Sequence, residues 1–559
     1  MRVGTGVAVL FLVVLTAGCI VSVAPATDSP PPSETELAFT EVSEEVGLSY
    51  ASVEGGAGNG NDGIYVGNLD GDLRQDVFVI GGEQPALYRN TEDGLERSDA
   101  LPNVTRLTED GAGRIQSALW LEDDGDGYDE LLLFPRNGTA VYLDNEEGQL
   151  VHENAGFETR YTNPVGASTA DYDGDGCLDV FVAQYGLWYD GSPAGWHGED
   201  WQEDNGNPNV LYRGSCGDGF ERATDAGIGP DGRGPHWTLA TSFVDLTGDG
   251  HPDIHAANDY FNDTLYVNDG DGTFTKRTMA GVTDRNGMSS EIADLQGDGR
   301  PEIFVTNIFF PEERIVELPA MERRLFSNFL NNRLGKRLQG NNILVANGSS
   351  YDGVGREVGI AEGGWGWGTV VADLDSDGEQ DAFHSTQTVV TFDDDEPVYP
   401  LPGVWVQQDG QFYRQDADEI GLEVANGRGV GQIDYDVDGD VDVGVATYDE
   451  SYRLYRNDGE QGASLQVLVG AGEERTAVGA TVYATVDGDT QHYFANGRTD
   501  FQSQDSPVIH VGTGSDSVVE ELRIVWPDGT ERTFEDVETG QRIRVTPAGI
   551  QERLAYDDE

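Results

Sequence analysis

Short runs of apolar and polar residues recur along most of the chain and predict β-strands. Runs such as DVFVI, DVFVA, EIFVT and DVGVA are rich in β-branched and aromatic residues, and each follows an aspartate-rich turn. A second run follows, as in ALYRN, VLYRG, TLYVN and RLYRN, and then a DG-type turn that predicts a hairpin. A strand also precedes the acidic turns, as in SALWLED and TVVADLD. The repeating unit is therefore predicted to be a four-stranded antiparallel meander with the acidic loop at its first hairpin.

The acidic turns share one nine-residue register that occurs seven times. They read NLDGDLRQD from Asn68, EDDGDGYDE from Glu122, DYDGDGCLD from Asp171, DLTGDGHPD from Asp245, DLQGDGRPE from Asp294, DLDSDGEQD from Asp373 and DYDVDGDVD from Asp434. We number these loops 1 to 7 in chain order. Repeats of this spacing indicate radial or stacked units, so the sequence predicts an all-β fold with a seven-bladed β-propeller carrying calcium loops.

Closure of such a ring gives an independent check, because a propeller must seal its last sheet against its first or leave exposed edges. The seventh unit ends at LYRNDGEQG and lacks a fourth strand. The segment AFTEVSEEVGL, from Ala38 to Leu48, precedes loop 1 and is predicted to supply that strand.

Oxygen ligands recur at positions 1, 3, 5 and 9 of each loop, with small residues between them, as expected for a loop that wraps a hard cation. An EF-hand is excluded because strands flank the loops and because the twelfth position of loop 3 is Val182. The loose six- to eight-oxygen coordination of Ca²⁺ suits this pattern better than the rigid octahedron of Mg²⁺. The predicted ligands are Asn68, Asp70, Asp72, Asp76, Glu122, Asp124, Asp126, Glu130, Asp171, Asp173, Asp175, Asp179, Asp245, Thr247, Asp249, Asp253, Asp294, Gln296, Asp298, Glu302, Asp373, Asp375, Asp377, Asp381, Asp434, Asp436, Asp438 and Asp442.

The seven loops are not equivalent in charge. Those that begin at Asp171, Asp373 and Asp434 carry aspartate at all four positions and are predicted to be the strongest sites. Loop 2 uses Glu122 and Glu130, while loops 1, 4 and 5 each replace one carboxylate, by Asn68, Thr247 or Gln296, and should bind more weakly. The alternative interpretation is a set of ordinary acidic turns without ions.

After Gly462 the acidic loops stop and a different strand pattern begins: SLQVLVG, GATVYATVDG, SPVIHVGTG, EELRIVWPDGT and QRIRVT. These strands predict a separate small β-sandwich over residues 462–548, followed by an acidic tail over 549–559. The propeller is assigned to residues 37–461.

The chain has 102 Asp+Glu against 33 Lys+Arg, a formal charge of −69. Such a charge disfavours nucleic-acid binding and favours bound cations or a solvent rich in screening ions. Only Lys276 and Lys336 are lysines, and an acidic, lysine-poor surface is the usual adaptation to high salt. We interpret the chain as halophilic.

The N-terminus, MRVGTGVAVLFLVVLTAGC, indicates export: an apolar run leads to Ala17 and Gly18 before Cys19. Residues 1–18 are interpreted as a signal peptide with a lipobox, and Cys19 as the lipidation site. The apolar character continues to Val23, so an N-terminal transmembrane anchor is the alternative. Residues 19–36 are rich in Pro, Ser and Thr and predict a spacer that holds the folded part at the outer face of the membrane.

Cys177 and Cys216 are the remaining cysteines. The first and third hairpins of a meander lie at the same end of the sheet, so loop 3 brings Cys177 near Cys216. In an exported protein this arrangement predicts a disulfide, with two free thiols as the alternative.

The acidic loops resemble the FG-GAP and VCBS repeats of integrin-like propellers, which implies structural calcium rather than catalysis. Gly479 and Ala480, DFQSQ from Asp500, HVGTG from His510 and WPDG from Trp526 resemble the ASPIC/UnbV domain. In the cartilage acidic protein family that domain follows such a propeller, and GWGWG from Gly364 resembles its blade junctions. The resemblance implies an extracellular, calcium-dependent role in adhesion.

Function is predicted to be binding of an extracellular protein or glycan, with membrane contact only through the N-terminal anchor. The ligand is expected on the face opposite the calcium loops, where candidate residues are Arg114, His236, Trp237, Trp365, Trp367 and Arg428. These aromatics could instead simply fill the central channel. The alternative function is a secreted lyase or hydrolase on the same face, and convergence of Arg114, His236 and Arg428 on one polar pocket would favour it. No catalytic motif was found, so no catalytic residue is assigned.

Overall fold

The structure is a computed structural model that describes residues 37–53, 62–108, 113–186, 188–189, 192–193, 206–228, 237–279, 282, 286–309, 340–386, 401–424, 426–459, 462–471, 477–497 and 499–556. Cys19, the signal peptide, the alternative anchor and His236 lie outside these residues. Within the described part of the chain, no helix has both the length and the apolar character needed to cross a membrane.

Within the described residues the chain is all-β apart from two one-turn helices, which confirms the predicted fold class. Strand β1 (Phe39–Glu41) is followed by α1 (Ser43–Val46). Sheet 1 contains β2 (Gly63–Gly67), β3 (Asp76–Ile80), β4 (Ala86–Thr91) and β5 (Gly94–Arg97), and α2 (Val104–Leu107) follows it. Sheet 2 contains β6 (Ile115–Leu121), β7 (Glu130–Pro135), β8 (Val141–Asn145) and β9 (Leu150–Glu153).

Sheets 3 to 5 repeat the same antiparallel order. Sheet 3 contains β10 (Pro164–Ala170), β11 (Asp179–Gln184), β14 (Val210–Gly214) and β15 (Phe220–Arg222), with the small hairpin β12 (Trp188–Tyr189) and β13 (Ser192–Pro193) inserted. Sheet 4 contains β16 (Thr238–Val244), β17 (Asp253–Asn258), β18 (Thr264–Asn268) and β19 (Phe274–Thr278). Sheet 5 contains β20 (Glu291–Ala293), β21 (Glu302–Val305), β22 (Asn342–Asn347) and β23 (Ser350–Gly353).

Sheets 6 and 7 end the series, and the N-terminal strand completes sheet 7. Sheet 6 contains β24 (Gly366–Ala372), β25 (Asp381–Thr386), β26 (Gly403–Gln408) and β27 (Gln411–Arg414). Sheet 7 contains β28 (Gly427–Ile433), β29 (Asp442–Thr447) and β30 (Arg453–Asn457), and β1 pairs antiparallel with β30, Phe39 opposite Asn457. The closing strand is thus shorter than the predicted Ala38 to Leu48, because α1 begins at Ser43.

The seven sheets form a propeller-like ring whose neighbours are joined by one recurring contact. An asparagine at the end of a third strand donates its side-chain N–H to a loop carbonyl of the preceding sheet. The four pairs are Asn90 with Tyr435, Asn145 with Leu69, Asn268 with Tyr172 and Asn457 with Leu374, at 2.8 to 2.9 Å. The first pair joins sheet 1 to sheet 7, so the ring is closed. Loops 1 to 7 lie at one end of the ring, here called the loop face.

The C-terminal part forms two further four-stranded sheets around one core. Their eight strands are β31 (Ala463–Val469), β32 (Ala480–Val486), β33 (Asp489–Ala495), β36 (Ile509–Gly514), β37 (Val518–Val525), β38 (Glu531–Glu538), β39 (Gln541–Thr546) and β40 (Gly549–Ala555). A hairpin of β34 (Thr499–Asp500) and β35 (Ser503–Gln504) lies between β33 and β36 in the chain. Sheet β36-β31-β39-β40 packs on sheet β33-β32-β37-β38 through residues such as Val467, Val482 and Leu522. The prediction of an acidic tail over 549–559 is wrong for residues Gly549–Ala555, because these form β40, which pairs with β39.

The hairpin β34–β35 leaves the C-terminal sheets and joins the propeller. Strand β35 pairs in parallel with β2, Ile64 opposite Ser503. The sequence predicted a separate C-terminal unit. The structure shows instead that this unit is joined to the ring through the hairpin β34–β35.

Candidate metal centres

The carboxylate at position nine of each loop anchors the loop to its sheet. In loop 3, Asp179 accepts the backbone N–H of Tyr172 at 2.8 Å with one oxygen and that of Gly214 at 2.9 Å with the other. The same pair of bonds is made by Asp76, Asp253, Asp381 and Asp442. Position nine thus has a structural role that does not depend on an ion.

The carboxylate at position one shapes the turn. Asp171 accepts the backbone N–H groups of Gly174 at 2.8 Å and Gly176 at 2.9 Å, and both glycines have positive φ (75° and 92°). Glycine adopts this left-handed backbone without steric cost, which explains the repeated glycines. Loops 6 and 7 differ, because Ser376 and Val437 take φ 57° and 63° at the position of Gly174.

Four of the seven loops bring three carboxylates together. In each cluster, one oxygen from every member lies within 4.8 Å of the others: Glu122, Asp124 and Asp126; Asp124, Glu130 and Asp144; Asp171, Asp173 and Asp179; Asp373, Asp375 and Asp381; Asp434, Asp436 and Asp442. These clusters can hold a metal ion. The clusters fall in loops 2, 3, 6 and 7. The residue at position five belongs to a cluster in loop 2, where it is Asp126, whereas Asp175, Asp377 and Asp438 at the same position of loops 3, 6 and 7 do not.

The chemistry of the clusters fits a hard divalent cation. In loop 3, burial is the main cause that raises the pKa of Asp179 to about 8. In loop 6, burial and then repulsion from neighbouring aspartates raise the pKa of Asp381 well above its usual range. A buried carboxylate must be neutralised by a proton or by a cation, and all these ligand atoms are oxygens. Burial and the donor set therefore both suit a hard divalent ion.

No such cluster forms in loops 1, 4 and 5 of the described chain. Each lacks one carboxylate, and two of them have a basic partner. Arg89 forms an ion pair with Asp70 in loop 1, and Nδ1 of His492 lies 3.2 Å from Oδ2 of Asp294 in loop 5. A basic partner reduces the negative charge that would attract a cation.

Loop 7 receives a buried guanidinium from the C-terminal sheets. Arg542 is 1% exposed; its Nη2 lies 3.0 Å from Oδ2 of Asp434, and Nη1 donates to the carbonyl of Leu73 at 2.7 Å. Gln466 also donates to Oδ2 of Asp434, at 2.7 Å. Asp434, expected to begin one of the strongest sites, is thus already engaged by a positive charge.

The C-terminal sheets contact the loop face at further points. Arg544 donates to the carbonyls of Gly71 and Asp72 in loop 1 at 2.7 and 2.9 Å. In loop 6, Ser376 Oγ lies 3.0 Å from Nε2 of His510, and the Gly514 N–H donates to the Ser376 carbonyl at 2.8 Å. The loop face is therefore an internal contact surface as well as a set of acidic sites.

Cys177, in loop 3, forms a disulfide with Cys216 in the third hairpin of the same sheet, with a Cα–Cα distance of 4.8 Å. The bond ties the loop to the far edge of its own sheet.

The hairpin β34–β35 occupies the centre of the ring. Asp500 accepts the backbone N–H of Ser290 at 2.9 Å and that of Thr369 at 2.7 Å, and Asp505 accepts that of Gln432 at 2.7 Å. Thr499 donates to the carbonyl of Thr241 at 3.3 Å. These partners lie on or next to the innermost strands of sheets 5, 6, 7 and 4, so one hairpin bridges the ring from inside.

Family models match the two parts of the chain. The FG-GAP-like repeat matches residues 124–182 and 245–305, and ASPIC and UnbV matches residues 470–552. The chain contains FG-GAP-like repeats and an ASPIC and UnbV domain.

Several solved structures are similar at low identity. A lectin of Agrocybe aegerita that recognises non-reducing terminal N-acetylglucosamine is 16% identical, with 75% of this chain and 93% of that chain covered and a TM-score of 0.40. The lectin BP39L of Burkholderia pseudomallei is 11% identical, with 71% and 96% covered and a TM-score of 0.44. The extracellular domain of the putative hybrid two-component system BT3049 of B. thetaiotaomicron is 8% identical, with 90% and 49% covered and a TM-score of 0.41. No curated protein matches the chain.

The residues expected on the opposite face mostly surround the hairpin of the ASPIC and UnbV domain. Trp237 and Trp367 are 1% and 4% exposed and share a core cluster with Phe501, while Trp365 is half-buried at its edge. Arg428 is buried between the rings of Trp367 and Tyr448, 4.8 and 5.1 Å from their centroids. Most of these aromatics thus line the filled channel.

Of the three residues whose convergence would favour an enzyme, the structure describes two: Arg114 is exposed and Arg428 is buried. Arg114 and Arg428 both lower the pKa of the buried Asp62, but burial dominates and raises it to about 6. Both arginines therefore act on the carboxylate of Asp62, but of the two only Arg114 is accessible to solvent.

A serine, a histidine and an aspartate lie in line in the FG-GAP-like part, but without access. Nδ1 of His255 is 2.7 Å from Oγ of Ser290, and Nε2 is 3.7 Å from Oδ2 of Asp263. All three are at most 1% exposed. Because no substrate can reach Ser290, we interpret the arrangement as part of the core.

Sequence reasoning missed Asp144, His492, Arg542 and the insertion of β34–β35. Asp144 could have been found by aligning the third strand of each sheet, since VYLDN carries aspartate where ALYRN and VLYRG carry arginine. The other contacts join residues far apart in the chain, for which the repeat pattern carries no signal.

Proposed function

We propose that the chain is a surface-anchored, calcium-stabilised β-propeller that acts as an extracellular scaffold for a protein or glycan. The observation that carries the proposal is the recurrence of three-carboxylate clusters at the same loop of four sheets. In loops 3, 6 and 7 the same three positions, one, three and nine, come together. Chance acidity would not repeat this arrangement, whereas ion binding requires it.

Calcium is the ion that the ligand set favours. The clusters offer carboxylate oxygens on flexible, glycine-containing loops, and Ca²⁺ accepts several such oxygens in a loose geometry. Export is supported by the signal-like N-terminus and by FG-GAP-like repeats, and lipidation of Cys19 or an uncleaved N-terminal segment would provide the anchor.

The partner surface is proposed to be the end of the ring opposite the loop face. The ASPIC and UnbV domain contacts loops 1, 5, 6 and 7, so those loops are engaged within the chain. At the opposite end Arg114 is exposed and Trp365 is half-buried beside Trp367, with the two indole rings stacked at 6.4 Å. Stacked aromatic faces and a guanidinium can bind a sugar ring or a peptide side chain.

Two measurements test the proposal. Calcium at one hundred times its dissociation constant stabilises the folded state by about 2.7 kcal/mol per site. We therefore expect a chelator to lower Tm at constant ionic strength, and an unchanged Tm would contradict the calcium part.

Partner capture is then measured with the soluble region, residues 37–559, on a glycan array and by pull-down. We expect the pair of substitutions Arg114→Glu and Trp365→Ala to abolish capture while circular dichroism shows that the protein remains folded. Asp93→Asn, at an exposed turn, is the control. Capture that survives both substitutions would exclude this face.

A further inference from the structure

A buried guanidinium lies near the end of the ring opposite the loop face. Arg428, at the start of β28, is 3% exposed and is held between the rings of Trp367 and Tyr448. Its Nη1 donates to the carbonyl of Gly427 at 2.8 Å, whereas its Nε has no hydrogen-bond partner. A guanidinium carries five N–H donors, and a buried cation without a counter-ion is costly. Arg428 is therefore a fixed positive charge with a donor to spare.

Two further arginines lie at the ends of neighbouring strands on the same side of the ring. Arg114 directly precedes β6 and Arg136 directly follows β7, and the backbone N–H of Arg136 donates to the carbonyl of Arg114 at 2.9 Å. Arg114 is exposed and Arg136 is half-buried. Like charges on adjacent strands repel each other, so an anion bound beside these two arginines would offset their repulsion.

Two carboxylates belong to the same region. Arg114, Arg428 and the exposed Asp449 all interact electrostatically with the buried Asp62. Within the described residues, neither arginine forms an ion pair with Asp62. This part of the described surface therefore holds three arginines against two carboxylates, on a chain whose formal charge is −69. A small anion is attracted here although most of the protein surface repels it.

The two tryptophans next to Arg428 also have unused donors. Nε1 of Trp365 and Nε1 of Trp367 are both buried and have no hydrogen-bond partner. The indole of Trp365 stacks on that of Trp367 with ring centroids 6.4 Å apart, and its half-buried side chain reaches the surface. Unpaired N–H donors beside positive charge favour a ligand that brings oxygen acceptors and a negative charge, as a carboxylate does.

The shape of this end favours a sugar over an extended peptide. The strands reach it by their tips, so it offers no free sheet edge to which a peptide strand could add. An indole face and a planar guanidinium suit a pyranose ring that bears a carboxylate, because the ring packs on the indole and the guanidinium binds both carboxylate oxygens. A long polyanion is disfavoured, since the acidic remainder of the chain repels it.

We propose that this end of the ring binds an acidic sugar, that is, a glycan whose terminal residue carries a carboxylate. Arg114 holds the carboxylate, Trp365 packs against the sugar ring, and Arg428 supplies positive charge from beneath. The proposal rests on the proposed function, because it assumes that this end is the partner surface, and it names the chemical class of that partner.

The test is binding of the soluble region, residues 37–559, to immobilised oligosaccharides that end in glucuronate, galacturonate or sialate. Each sugar is paired with its methyl ester, which keeps the ring and removes the charge, and binding is read by surface plasmon resonance at fixed ionic strength. We expect at least one acid to bind at least ~tenfold more tightly than its ester, because the ester loses a hydrogen bond to a charged group.

The variants assign this preference to one side chain. Arg114→Gln should reduce binding of the acid to the level of its ester. Arg277→Gln makes the same charge change at an exposed position of β19 and should leave both unaltered. Trp365→Ala should weaken acid and ester alike, since both keep the sugar ring. An acid-to-ester ratio that persists in folded Arg114→Gln overturns the role of Arg114.

An immobilised glutamate-rich peptide is the competing ligand. Equal binding of every acid and its ester, or tighter binding of the peptide than of any sugar, overturns the acidic-sugar assignment. This comparison uses the unmodified protein, so it decides the matter even if Arg114→Gln does not fold, as judged by circular dichroism. The proposed function survives that result if Arg114→Glu with Trp365→Ala still abolishes capture of a neutral glycan or a protein. Absence of any capture by the unmodified protein overturns both proposals, so the two failures are distinct.

Discussion

Gln504 of the ASPIC and UnbV domain exchanges two hydrogen bonds with the backbone of Trp120 on β6. The Trp120 N–H donates to Oε1 at 2.8 Å, and Nε2 donates to the Trp120 carbonyl at 3.0 Å. One side-chain amide thus satisfies both backbone groups of the innermost strand of sheet 2. The ring closes around this hairpin rather than around an open channel.

Replacement of Gln504 by Ala should therefore destabilise the whole propeller. Each buried backbone group that loses its partner costs about 1–3 kcal/mol, so for the two groups of Trp120 we expect a loss of about 2–6 kcal/mol in the free energy of unfolding. Urea denaturation followed by tryptophan fluorescence measures it. Gln551→Ala, at an exposed position of β40, is the control, and equal stabilities of the two variants would contradict a structural role for the hairpin.

Replacement of Arg542 by Met should separate the ASPIC and UnbV domain from loop 7. The change leaves Asp434 buried without its cationic partner, and loss of one member of a buried pair costs about 3–5 kcal/mol. Limited proteolysis should release the C-terminal domain faster than in the exposed control Arg553→Met.

The same variant also tests the charge balance at loop 7. Because Asp434, Asp436 and Asp442 would then lack Arg542, added calcium should restore more stability to Arg542→Met than to the unmodified protein. An equal calcium-induced increase in stability for both proteins would show that Arg542 and the cation do not neutralise the same carboxylates.

The double substitution Cys177→Ser and Cys216→Ser should lower stability through the unfolded state. The bond closes a chain segment with a sequence separation of 39, for which the loop-entropy model gives about 4 kcal/mol. Thermal unfolding with and without reductant measures this. The reductant should lower Tm of the unmodified protein and leave the double variant unchanged; a reductant effect that persists in the double variant would have another cause.

Asp259 should make stability fall as pH rises from about 4 to about 7. Burial raises its pKa to about 7 from the usual 3.8, against the opposing hydrogen bond from the Tyr185 hydroxyl at 2.6 Å. The folded state therefore keeps a proton that the unfolded state releases. Stability from this group is fully present below about pH 4 and is lost through pH 7, at about 1.4 kcal/mol per pKa unit.

Asp259→Asn keeps an acceptor for Tyr185 and removes the titration. We expect its Tm to decline less with pH than that of the unmodified protein, at fixed salt between pH 4 and pH 8. Tyr185→Phe, which removes the hydrogen bond that favours the carboxylate, should steepen the decline. Parallel curves for all three would exclude Asp259 as the source.

The sequence by itself determined the repeating features of this protein. The period of two in the strands, the nine-residue acidic register and the missing fourth strand of the last unit predict the sheets, the loops and closure by β1, since each depends on residues close in the chain or on strict repetition. The near placement of Cys177 and Cys216 follows from the same meander.

Only the tertiary structure decided how the two parts combine. Gln504 and Trp120 are 384 positions apart, and Arg542 and Leu73 are 469 apart, so no local pattern relates them. Their contacts arise because the ASPIC and UnbV domain packs on the loop face and sends β34–β35 into the ring. The charge at each loop is then set by its neighbours as well as by its own aspartates, because electrostatic interactions depend on distance in space rather than along the chain.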